Sequence, residues 1–78
     1  MSQETRQYAV VYEGSDQEGW SAYVLDLPGC TSAAETFQEI QTEIQEAICD
    51  HIEILRETGH PVPEPKTQVG LIGVRLSA

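Results

Sequence analysis

Residues 37–58 constrain this chain most, because they read as a single long amphipathic helix. At about 3.6 residues per turn, Phe37, Ile40, Ile44, Ala47, Ile48, Ile52, Ile54 and Leu55 fall in one broad apolar arc. The opposite side carries Glu39, Glu43, Glu46, Asp50, Glu53 and Glu57, at alternating spacings of 4 and 3 and with no lysine between them. Thr36-Phe37-Gln38-Glu39 has the capping-box pattern, in which the threonine hydroxyl takes the Glu39 amide and the Glu39 side chain reaches back. Gly59, followed two residues on by Pro61, supplies a stop signal. An apolar arc of this width must cover a surface, and everything else in the chain reads as strand.

Gln7-Tyr8-Ala9-Val10-Val11-Tyr12-Glu13 is rich in β-branched and aromatic residues and predicts a first strand with two apolar faces. A polar turn over residues 14–19 leads to a second strand, residues 20–25, as an antiparallel hairpin. In Asp26-Leu27-Pro28-Gly29 the proline presets the second turn position and the glycine tolerates positive φ at the third. Asp26, Pro28, Gly29 and Cys30 are read as turn formers. Residues 30–34 make a short third strand. Past the helix, the prolines of Pro61-Val62-Pro63-Glu64-Pro65 enforce an extended connector, and residues 69–76 read as a fourth strand.

The order is βββαβ, an α+β fold. The helix crosses one face and returns the chain to the same end, so a right-handed crossover predicts strand 4 parallel to strand 1. The result is a mixed four-stranded sheet of order 3-2-1-4 with one helix on one face. The other face, expected to hold some of Tyr8, Tyr12, Trp20 and Val24, stays open unless a second subunit covers it. The apolar edge at strand 4 is a second place for self-association. Tyr8, Tyr12, Trp20 and Leu71 are therefore the expected oligomer interface of a homodimer or tetramer.

Seventy-eight residues make one domain, with its core over about residues 7–76. A chain this short buries only about 60% of the surface its unfolded form exposes, so a partner or a second copy would add missing burial. No apolar run is long enough to span a membrane and no signal-peptide core precedes residue 20, which predicts a soluble, cytoplasmic protein. Thirteen acids against four lysines and arginines give a net charge of −9. Such a chain repels phosphate backbones, so direct nucleic-acid binding is not expected, and a basic protein is the fitting partner. The bland alternative is a solvated acidic face that serves solubility alone.

No catalytic or metal constellation emerges, and no cofactor is implied. His51 and Cys49 lie on different sides of the helix, which is not metal-ligand spacing. His51 reads as a border or core histidine, and His60 as a complement to the helix dipole. Cys30 has no histidine near it in sequence to activate it. The two cysteines do not make a disulfide framework. Magnesium chemistry of the ribonuclease H kind needs converging carboxylates, yet the middle of strand 1 is Ala9-Val10-Val11 and strand 4 has no acid.

Three ordered stretches carry a family resemblance: the run from Gly19-Trp20 through Asp26-Leu27-Pro28-Gly29-Cys30-Thr31-Ser32, the cap Thr36-Phe37-Gln38-Glu39, and Pro61-Val62-Pro63-Glu64-Pro65. Together they resemble the HicB-like antitoxin family over about residues 8–76. The resemblance implies a partial ribonuclease H-like fold without nuclease activity, used to bind and neutralise a small basic mRNA-cleaving toxin of the HicA kind. Family members often carry an added DNA-binding unit. This sequence stops right after strand 4, so no such appendage is expected. The expected toxin-binding surface is the ridge Glu39, Glu43, Glu46, Asp50, Glu53 and Glu57. The alternative of another class is an orphan oligomeric scaffold or small-ligand-binding domain of the same fold.

Overall fold

The computed structural model describes residues 5–77. Three antiparallel strands, β1 (Val10–Ser15), β2 (Gly19–Val24) and β3 (Thr31–Ala34), form a meander in the order β1-β2-β3. One helix follows, α1 (Phe37–Glu57). The protein is thus α+β, with the first three strands neighbouring as the sequence predicts. The expected fourth strand is not among these elements. Residues 60–77 run without strand pairing inside the chain, and Val69, Leu71, Ile72, Val74 and Leu76 are exposed.

Local chemistry accounts for each boundary. Gly14, at φ 128°, opens the first hairpin turn, and a Cβ there would collide with the Gly19 carbonyl oxygen. The second turn closes as Cys30 N donates to Leu27 O at 3.1 Å around Pro28 and Gly29, the latter at φ 85°. Thr36 Oγ1 accepts from Glu39 N at 3.1 Å and donates to Glu39 Oε1 at 3.0 Å. The capping box is present, with the carboxylate held by the threonine hydroxyl rather than the cap amide. At the far end Gly59, φ 75°, makes a Schellman turn: His60 N donates to Leu55 O and Gly59 N to Arg56 O.

The register places Val10 opposite Val24, Tyr12 opposite Ala22, and Ala22 opposite Ser32. Directly opposed residues share a face, so Val10, Tyr12, Trp20, Ala22 and Val24 all turn toward the helix. α1 packs on β3 and β2. The fully buried core is small: Ala22, Val24, Leu27, Cys30, Ile40 and Ile44, with Tyr8, Tyr12, Trp20, Ile48 and Ile52 packed around it. Leu27 is the unexpected member. It lies in the turn, yet its side chain plugs the core completely.

This placement corrects the expected underside. Tyr8, Tyr12, Trp20 and Val24 lie on the helix side, while the open face presents Val11, Ser21, Tyr23, Thr31 and Ala33. Strand 1 is apolar on both faces, so its sequence has no alternation from which the buried side could be chosen. Ile54 also departs from the expected arc. It is 59% exposed near the C-terminal end of α1, whereas its neighbour Leu55 is half-buried.

A candidate protein-docking surface

The six ridge carboxylates, Glu39, Glu43, Glu46, Asp50, Glu53 and Glu57, are all exposed. They line the side of α1 away from Ile40 and Ile44, which anchor the helix to the sheet. The structure brings them together as one continuous anionic stripe. Its own cations lie elsewhere: Arg6 pairs with Glu64 at 3.3 Å, and Arg56 lines a groove on the flank of α1.

That groove, about 360 Å³, runs between residues 5–8 and the β1-side flank of α1. Ile48 and Ile52 give it an apolar wall, and Arg6, Cys49 and Arg56 line its polar side. Of the expected interface residues, Tyr8 borders this groove, Tyr12 stacks edge-on against Phe37 at 5.1 Å, and Trp20 tilts against the same ring at 4.9 Å. Leu71 is far from all three in character, being fully exposed on the C-terminal segment.

The turn residue Asp26 does more than turn the chain. Its carboxylate accepts from Thr67 N and Thr67 Oγ1, both at 2.8 Å, and from Lys66 N at 2.9 Å. Those donors, the Thr67 amide foremost, hold its carboxyl below the ordinary carboxylate range. Tyr8 Oη donates to Pro63 O at 2.7 Å. Together with the Arg6–Glu64 pair, these contacts fasten the root of the C-terminal segment beside the start of β1. Asp16 is a second such finding. Its Oδ1 accepts from Trp20 Nε1 and from Phe37 N at 3.1 Å, so the first hairpin turn caps the helix from 21 residues away. A carboxylate at a helix N-terminus is favoured by the dipole. Neither role has a local sequence signal, since both partners are distant in the chain.

Burial pushes the Cys30 thiol up, which keeps it protonated and unreactive. Cys49 is exposed, and both cysteines are free. His51 is half-buried beside the Gly29 turn, and His60 Nδ1 lies 2.8 Å from Thr58 Oγ1 at the helix end. Among the described residues, no three His, Cys, Asp or Glu side chains are grouped to hold a metal, and no helix is long and apolar enough to cross a membrane.

The arrangement is thus a small helix-on-sheet body with an anionic stripe on one side and an apolar segment standing out from it. Residues 8–72 match the family described as HicB-like antitoxin of bacterial toxin-antitoxin system. No curated protein and no solved structure matches the chain. The match takes in all three strands, the helix, the Asp26–Cys30 turn and the proline connector, and the chain belongs to the HicB-like antitoxin family.

Proposed function

We propose that this protein neutralises a small basic mRNA-cleaving toxin of the HicA kind, by covering its cationic surface rather than by chemistry. The observation that carries the reading is the ridge on α1, six carboxylates in register with no cation between them. A toxin that cuts messenger RNA must attract phosphates with lysines and arginines. A rigid row of carboxylates competes for the same cations, and the long-range field speeds the encounter. Family membership supports the antitoxin role and a non-catalytic protein.

The reading includes the partial ribonuclease H-like fold as a scaffold, with residues 69–76 as its fourth strand. It also includes one domain over residues 1–78, action in the cytoplasm, no direct nucleic-acid binding by this chain, and self-association through Tyr8, Tyr12 and Leu71. Trp20 contributes the rim it leaves exposed beside Phe37.

The test is coexpression with a small basic protein encoded immediately beside this one whose expression alone stops growth. Wild type restores growth. A Glu43→Lys, Glu46→Lys, Asp50→Lys triple variant loses rescue while keeping its helical circular dichroism, because all three sites are exposed and lysine is a good helix former. Rescue by the triple variant at wild-type level would remove the ridge from the mechanism. The second reading, an oligomeric scaffold or small-ligand domain, is favoured by the groove walled by Ile48 and Ile52. It predicts a neighbour that is harmless when expressed alone.

A further inference from the structure

The C-terminal segment is out of keeping with the rest of the molecule. The radius of gyration is 15.3 Å, against about 12 Å for a compact chain of this length. The molecule measures 55 × 26 × 23 Å, and an eight-residue extended arm accounts for the excess, at about 26 Å. Residues 69–76 therefore stand clear of their own body, with five apolar side chains in water. The arm is not loosely attached: Asp26 clamps Lys66 and Thr67, Tyr8 holds Pro63, and three prolines stiffen the connector.

The surface such an arm fits is present on the same fold. Leu25 N donates to Ala9 O, so the pairs that β1 makes with β2 fall on its odd-numbered residues. The amides and carbonyls of Val10, Tyr12 and Gly14 consequently turn outward along an edge that no other strand of the described residues covers. Just before the start of this edge, between residues 5–8 and the flank of α1, lies the groove walled by Ile48 and Ile52. Charge agrees with shape. Residues 1–65 hold all 13 acids with only Arg6 and Arg56 against them, net −11, whereas residues 66–78 hold Lys66 and Arg75 and no acid, net +2.

We infer that two copies of this chain exchange their arms, residues 69–76 of each lying parallel to β1 of the other as its fourth strand. Alternation sends Ile72, Val74 and Leu76 to one face and Val69, Leu71 and Arg75 to the other. The first set turns toward the partner copy's α1, its leading end nearest the groove at Ile48 and Ile52, and Arg75 stays in solvent. The arm is longer than the six-residue β1 it covers, and its stiff connector favours exchange over folding back. The exchange deepens the self-association proposed above and is independent of the toxin, which its test does not contain.

Light scattering after size exclusion, at about 100 µM so that mass action favours assembly, reads a mass twice the 8.6 kDa chain. Leu71→Pro, at an exposed side chain whose amide faces the partner copy's β1 in this pairing, removes a ladder donor and lowers dimer affinity by about ten-fold or more with the helix signal intact. A mixed dimer of labelled and unlabelled chains then shows nuclear Overhauser contacts between the arm of one copy and Val10 and Tyr12 of the other. A monomer at that concentration, a dimer indifferent to Leu71→Pro, or arm contacts confined to one chain would each overturn the exchange.

Discussion

Glu46 stands in the middle of the anionic ridge, with Glu43 three residues before it and Asp50 four residues after. Replacing it with glutamine removes two of the ridge's five neighbouring like-charge contacts and little else. Glutamine matches glutamate in helix propensity, the site is exposed, and mid-helix placement keeps it clear of the dipole ends. Each like-charge pair at this spacing costs about 0.2–0.5 kcal/mol in an exposed helix at low salt. Glu46→Gln should therefore stabilise by about 0.4–1 kcal/mol at low ionic strength, which for a domain this small is a rise in Tm of about 2–8 °C. The assay is thermal melting followed by circular dichroism, first at low salt and then near 1 M salt, where the Debye length falls to about 3 Å and the gain should vanish. An unchanged or lowered Tm at low salt would refute the idea that the ridge is strained in the free protein.

Three further outcomes follow from particular contacts. Ile40→Ala, at a fully buried position, should cost about 2–5 kcal/mol, a large part of a small domain's stability, whereas Ile54→Ala should shift the urea midpoint very little; equal effects would contradict the placement of α1. Thr36→Ala removes the hydroxyl that caps Glu39 N and should cost about 1 kcal/mol by the same denaturation measurement. Because the donors from Thr67 and Lys66 lower the Asp26 pKa in the folded chain, the clamp's contribution is complete above the unfolded carboxyl pKa and is lost as pH falls through the lower folded value. Amide exchange at Lys66 and Thr67 should therefore be slow at neutral pH relative to Asp26→Asn, and that difference should disappear in strong acid; protection identical in both proteins at pH 7 would contradict the clamp.

The parts legible in the sequence were those written within a few neighbouring residues. The helix from Thr36 to Gly59, its buried stripe through Ile40 and Ile44, the exposed ridge and the Pro28-Gly29 turn all rest on spacings of one to four residues. Each has a capping group or a glycine that leaves little choice. The ridge in particular needed only helical period to assemble, and the fold leaves it uncovered.

What tertiary structure decided lies where the sequence offers two equal options or a distant partner. β1 is apolar on both faces, so only packing under α1 could put Tyr8, Tyr12 and Trp20 on the inner side and leave Val11 and Tyr23 outside. Asp16 capping Phe37, Leu27 filling the core and Asp26 gripping Thr67 join residues brought near only by folding. Residues 69–76 have the composition of a strand, but a strand exists only when another backbone supplies its hydrogen bonds. Within one copy of the chain those groups are left facing water, because the fold carries the arm away from β1.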